Sequence, residues 1–163
     1  MSVRQIRLFG DPVLKTPCSE IVEFDKATGL IQDLIDTTSL PGRAGVAANQ
    51  IGVGLRAFAY NVEGDIGYLI NPRITSLEGE PELVDEGCLS VPGLWQKTMR
   101  YPVAIASGFH LDGSEHEIRG EGLLAQALQH EVDHLDGFLY LDRLSPEERK
   151  LAFRALREQP WFS

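Results

Sequence analysis

Apolar residues at Leu30, Ile31, Leu34 and Ile35 recur at three- and four-residue spacing, the stripe of an amphipathic helix. Asp25 is placed to cap that helix and Pro41-Gly42 to stop it, which predicts a helix over 25–40. The pattern then changes. Gly42-Arg43-Ala44-Gly45 and Ile51-Gly52-Val53-Gly54 form a glycine-rich stretch, and 55–62 and 67–71 read as strands joined by a turn at Glu63-Gly64-Asp65. A short strand is predicted over 74–77. Residues 78–85 are acidic and read as solvated surface, and 84–91 as extended chain interrupted at Gly87. Residues 101–111 read as a strand that turns back at Asp112-Gly113 into 115–119. The strongest helix is 122–135, where Leu123, Leu124, Ala127, Leu128, Val132 and Leu135 make a broad apolar face and Gly137 supplies a stop. The nearly all-round apolarity of its first half predicts a central, buried helix. A last helix is predicted to start after Ser145, with Pro146 in its first turn and Glu148 at the capping-box position, and to end before Pro160.

Strands in the middle and helices at the ends give an α+β fold class. The length of 163 residues predicts one domain over 1–163, long enough for a core without disulfide staples. The net charge of −9 argues against general affinity for nucleic acid or anionic lipid. No apolar run approaches a membrane span, and the first residues lead to no signal-peptide core. Cys18 and Cys88 are too few for a disulfide framework, so a reducing, cytoplasmic location is expected, and each thiol is a core residue, a ligand or a nucleophile.

The central helix carries His130-Glu131-Val132-Asp133-His134, an HExxH pattern. Side chains four apart share one face of a helix, so both imidazoles reach a single ion, while Glu131 sits beside a ligand, placed to handle the proton of an activated water. With 4 His in the chain, the pattern arises by chance in roughly one chain in a hundred of this composition, so the bland alternative of two surface histidines is weak. A catalytic site of this kind needs a third protein ligand. His110 and His116 are of the right type but sit in polar company beside a strand turn. Cys88 is the better choice, since thiolate binds zinc or ferrous iron strongly and Gly87 permits close backbone approach. Cys18 has no partner motif and reads as structural. Within 43–50, Gln50 is the residue whose amide can donate to an oxyanion.

Taken together, Arg43 to Gln50, Glu86-Gly87-Cys88-Leu89-Ser90 and His130 to His134 closely resemble the GxGxAAxQ, EGCLS and HExDH motifs of peptide deformylase, in order and spacing. Gly10-Asp11-Pro12-Val13-Leu14 is also typical of that family, and the resemblance covers roughly 5–145. Arg43 departs from the pattern, standing where the first glycine is usual. The resemblance implies antiparallel β-sheets packed around a central metal-binding helix, with N- and C-terminal helices. It also implies removal of the formyl group from N-formylmethionine on newly made polypeptides. The implied ligands are Cys88, His130 and His134, holding one divalent ion: Fe2+ first, with Zn2+, Ni2+ or Co2+ able to replace it. Glu131 is implied as general base and then acid, with the Gln50 side chain and the Leu89 N–H at the oxyanion. Leu123, Gln126 and Ala127 are implied at the methionine pocket, although core packing explains Leu123 and Ala127 as well. Ala44 and Gly45 are implied beside the substrate backbone, and Asp133 is expected either to orient the site from behind or to be plain helix-surface charge.

A related metalloamidase with another small N-acyl substrate, and a non-catalytic relative that holds a metal, are the alternatives; the complete residue set argues against the latter. A ribosome contact through Arg149, Lys150, Arg154 and Arg157 on the last helix competes with a reading of those residues as a solvated face with i,i+4 pairs. A monomer is expected.

Overall fold

In the computed structural model, which describes residues 2–162, the first helix starts later than its capping residue suggested. Asp25 lies inside a 3-10 turn, Phe24–Ala27, and the helix α1 runs Thr28–Thr38. Its Ile31 and Leu34 are buried as the spacing required. The glycine-rich stretch contains a short strand, β1 (Gly45–Ala47), followed by a 3-10 turn, Ala48–Ile51.

Strand β2 (Ala57–Val62) turns into β3 (Asp65–Glu78) through Glu63 and Gly64, both at positive φ, the two-residue loop whose twist suits a hairpin. β3 is one strand of 14 residues where two were expected. The expected break survives as register shifts between Ile70 and Arg73 and between Ile74 and Ser76. Pro72 has no N–H to give to the ladder, and a bulge absorbs that loss. Beside it, the Asn71 side chain exchanges hydrogen bonds with the Ile21 N–H and carbonyl at 2.8 and 2.9 Å, tying the N-terminal segment to the sheet.

Residues 78–91 hold the largest departure. β4 (Glu82–Gly87) pairs antiparallel with β5 (Trp95–Arg100), which the sequence pattern did not reveal. The alternation is inverted: Glu86, Thr98 and Arg100 point inward and are buried, while Leu83, Trp95 and Met99 face outward. A rule that sends apolar residues inside cannot recognise such a ribbon. β6 (Val103–Phe109) and β7 (Glu115–Glu121) form the hairpin expected at Asp112-Gly113.

The five-stranded antiparallel sheet has the order β1-β2-β3-β6-β7. β2 shows how it is covered on both faces. Ala57 and Ala59 pack with Ile31 and Leu34 of α1, whereas Phe58 and Tyr60 pack with Leu128, Val132 and Leu135 of the central helix α2 (Leu123–Leu135). α2 is buried as expected from Ala125 onward, but its first turn is open and its polar second half is buried as well. Leu123 is 51% exposed, while Glu131, Val132, Asp133, His134 and Leu135 are all buried. The last helix, α3 (Pro146–Leu156), begins as predicted: Ser145 Oγ accepts from the Glu148 N–H at 3.2 Å and bonds Glu148 Oε1 at 2.8 Å. Ala152 and Leu156 seat it on Val91, Leu94 and Tyr140, behind the 88–94 segment. Among the described residues, no helix is long and apolar enough to cross a membrane.

Candidate functional site

Helical periodicity alone brings the two imidazoles of α2 together: His130 Nε2 and His134 Nε2 are 3.1 Å apart. Cys88 arrives from the end of β4, its Sγ 3.3 Å from His134 Nε2, and the three donor atoms lie within 4.8 Å of one another. Tetrahedral bonds of about 2.0–2.1 Å to nitrogen and about 2.3 Å to sulfur would set donor separations of about 3.3 and 3.6 Å. The observed spacing therefore fits a single divalent ion, and one thiolate with two imidazoles is a donor set suited to zinc or ferrous iron. His110 and His116 do not join it. They stack on each other at 3.5 Å in the β6–β7 hairpin, with Ser114 bonded to His116.

Behind the ligands runs a buried chain of charges. His130 Nδ1 meets Glu86 Oε2 at 2.7 Å, which fixes the ring with Nε2 facing the other donors. Glu86, 2% exposed, is held by the Arg100 guanidinium through two bonds of 2.8 and 2.5 Å. Arg100 also donates to Asp133 at 2.8 Å, and Arg143 donates to Asp133 at 2.9 and 2.7 Å. Glu86, Arg100 and Asp133 are buried, and the half-exposed Arg143 supplies the second positive charge from the rim, so two carboxylates face two guanidiniums. Burial pushes the Glu86 carboxyl up, but Arg100 and His130 outweigh it and hold it down at about 2. Asp133 is thus not surface charge: it is buried behind the ligands and pairs with Arg100 and Arg143. Arg100 carried no signal in the sequence, because nothing local distinguishes a buried arginine from a solvated one, and neither did the half-exposed Arg143. Glu86 stood inside a motif, but its partner could not be read from it.

Glu131 is 3% exposed, and its Oε1 has no hydrogen-bond partner among the described residues. Burial pushes its carboxyl up to about 7, the range in which a group can both take and return a proton at neutral pH. His134 is driven the other way, well below the ordinary histidine range, because burial first and His130 second disfavour its charged form. A neutral imidazole is the form that ligates.

Gln50 is buried in the 3-10 turn after β1. Its Oε1 accepts from the Ala47 N–H at 3.0 Å, and its Nε2 donates to Ser90 Oγ at 3.1 Å and approaches Cys88 Sγ at 3.6 Å. The Leu89 N–H has no protein acceptor among the described residues. Asn49, which the sequence did not single out, donates to the His134 carbonyl at 2.6 Å. Gln50, Cys88, Leu89, His130 and Glu131 border a cleft of about 350 Å³. Ala44, Gly45, Leu123, Gln126 and Ala127 all line it. The Gln126 amide is also engaged elsewhere, donating to the Asp85 carbonyl at 2.9 Å and to Glu86 Oε1 at 3.3 Å. Cys18 is remote from the cleft, its N–H bonded to the Leu135 carbonyl and its thiol pushed up to about 11 by burial.

The polypeptide deformylase family model matches residues 3–150. A peptide deformylase of Acidothermus cellulolyticus is 52% identical over 162 residues, covering 99% of this chain and 89% of that protein. Among solved structures, a peptide deformylase from Legionella pneumophila superposes with a TM-score of 0.89 at 37% identity, over 96% of this chain and 95% of that one. One from Synechococcus elongatus, in complex with actinonin, superposes with a TM-score of 0.86 at 30% identity, over 93% and 86% of the two chains.

Proposed function

Since the chain belongs to the polypeptide deformylase family, we propose a division of labour among its residues for the family reaction. It is a metal-dependent hydrolase that removes the formyl group from the N-terminal formylmethionine of new polypeptides and releases formate. The observation that carries the residue roles is the convergence of Cys88 Sγ, His130 Nε2 and His134 Nε2 beside the unpartnered, buried carboxyl of Glu131. The chemistry that a divalent ion supplies when held by those three residues is Lewis-acid charge, which makes water a nucleophile at neutral pH and polarises a carbonyl.

Glu131 takes the proton from the attacking water and hands it to the departing amine nitrogen. A carbon–oxygen bond forms, the amide carbon–nitrogen bond breaks, and formate and a free α-amine leave. The Leu89 N–H and the Gln50 amide donate to the oxyanion that develops between these steps. The Gln50 N–H that now faces the soft Cys88 sulfur at 3.6 Å is the one available for this, and losing such a donor typically raises the barrier by about 3 to 4 kcal/mol. Cys88 is a ligand and not a nucleophile, since the water route needs no acyl-enzyme. Ala44 and Gly45 lie along the substrate backbone; β1 is the edge strand of its sheet, so it has an open side for an extended peptide. Leu123, Gln126 and Ala127 receive the methionine side chain. The buried Gln50 and Glu131 leave little room at the reacting carbon, which favours formyl over acetyl.

Ferrous iron is the assigned metal, supported by the thiolate–imidazole donor set. The protein works as a monomeric, cytoplasmic domain over 1–163. Arg149, Lys150 and Arg154 are exposed on α3, Arg157 is exposed at its C-cap, and together they form the surface for a ribosome contact. Reversing Arg154 and Arg157 to Glu should abolish co-pelleting with ribosomes; retained pelleting would remove this contact from the reading.

The deciding assay is formate release by anaerobically prepared protein from formyl-Met-Ala, with acetyl-Met-Ala as competitor substrate and metal analysis of the same sample. Rapid release from the formyl peptide alone, lost in Glu131→Gln with the metal retained, is expected. Full activity of Glu131→Gln, or equal hydrolysis of the acetyl peptide, would defeat the mechanism.

A further inference from the structure

The first motif departs from its family pattern at Arg43, and the structure puts this residue on the wall of the cleft. Gly42, at φ +80°, turns the chain out of α1, and Arg43 Nη1 donates to the Thr37 carbonyl at the end of that helix, at 3.0 Å. This bond uses one of five guanidinium N–H groups and involves no carboxylate. The other charges lining the cleft are accounted for. Glu86 is matched by Arg100, and Asp85 by Lys97 at 3.2 Å. Glu131 sits at the reacting end, against Gly45. Among the described residues, Arg43 is the cleft's cation without a carboxylate within ion-pair distance.

Position follows from strand geometry. Arg43 stands two residues before Gly45, on the approach to the edge strand β1, while the metal ligands and Glu131 lie at the Gly45 end. Two residues of extended chain span about 7 Å. A peptide with its formyl end at Glu131 that runs outward along β1 passes Arg43 with the residues that follow its methionine.

Resting on the deformylase reading, we propose that Arg43 is a specificity-determining residue that favours substrates with an acidic side chain at one of the two positions after the methionine and disfavours basic ones there. The protein as a whole carries −9, so without this cation an acidic nascent chain would be repelled. Partly sheltered in the cleft wall, the guanidinium acts on charge at close range.

The test compares kcat/KM for formyl-Met-Asp-Ala-amide and formyl-Met-Ala-Asp-amide with their lysine counterparts and with formyl-Met-Ala-Ala-amide. Amidation removes the terminal carboxylate, which would otherwise mimic the acidic side chain. The expected acidic-to-basic ratio is about 3- to 10-fold at one of the two positions, carried mainly by KM. Arg43→Gln, which keeps a donor for Thr37, should bring the ratio to near 1, and Arg43→Lys should keep most of it. A merely structural role in closing α1 would change all five peptides together and leave the ratio alone. A ratio near 1 in the wild type, or one that persists in Arg43→Gln, overturns the proposal. Should Arg43→Gln fail to fold, the wild-type ratio decides: it must fall between about 20 and about 500 mM salt, and a salt-independent ratio overturns the proposal. Failure of the deformylase reading looks different, since no peptide of the set, the neutral one included, would then release formate.

Discussion

Gly45 stands so close to Glu131 that a Cβ added at position 45 would lie 2.6 Å from Glu131 Oε2 and 2.9 Å from its Cγ and Cδ. The backbone there is ordinary extended strand, so the glycine is required for space and not for its torsion angles. One missing methyl group lets the edge of a sheet lie against the carboxyl proposed to move the proton.

Gly45→Ala should therefore displace the Glu131 carboxyl by a few tenths of an ångström to an ångström while leaving the ligands alone. A misplacement on that scale lowers kcat/KM by about 100-fold. Formate release measured beside metal content is the check: the expected result is full metal occupancy with the activity lost, and unchanged kcat/KM would mean the contact has no bearing on proton transfer.

Arg100 holds two buried carboxylates at once, Glu86 and Asp133. Arg100→Met leaves both without their shared cation, and breaking a buried pair in this way destabilises by about 3–5 kcal/mol. Because Glu86 orients His130, metal affinity should also fall about 10- to 100-fold. Denaturant unfolding and competition with a chelator measure the two effects separately.

Stripping the metal with a chelator should abolish formate release, and adding back iron anaerobically should restore it. Thiolate ligation of ferrous iron also predicts damage by oxygen, so the iron form should lose activity in air faster than a nickel-loaded form. Equal decay would speak against an iron-dependent site.

Asp142 supplies a pH dependence away from the metal. Burial pushes its carboxyl up, but the Leu139 N–H at 2.9 Å and Lys15 at 2.5 Å outweigh it and hold it below the ordinary aspartate value. A depressed folded-state pKa means stability that is present above the unfolded value, near 3.8, and lost as pH falls through the folded one. Asp142→Asn should be less stable than the wild type at pH 7, and the gap should close as the pH is lowered below about 4. Paired urea titrations across that range check it; a pH-independent gap would assign the loss to packing.

Local relationships were legible in the sequence. The two histidines of α2 are ring neighbours because a helix repeats every 3.6 residues, and the Ser145 cap and the Glu63-Gly64 turn are likewise set by residues a few positions apart. Cys88 followed from ligand chemistry, and the α+β class from the order of periodic segments. The inverted ribbon β4–β5 was not legible. Its buried side is polar and its exposed side apolar, so its alternation points the wrong way until its partners are known.

The sequence by itself determined the chemistry: which donors are present, that two of them share a helix face, and which carboxyl sits next to them. Only the tertiary structure decided how that chemistry is tuned. The bonds from His130 to Glu86, from Arg100 to Glu86 and from Arg100 to Asp133 span 44, 14 and 33 residues, and Gly45 meets Glu131 across the domain. Local periodicity encodes where a side chain points on its own element. It does not encode which buried charge waits on the element packed against it, and that pairing orients His130, while burial raises the proton affinity of Glu131 and Gly45 leaves the space beside it.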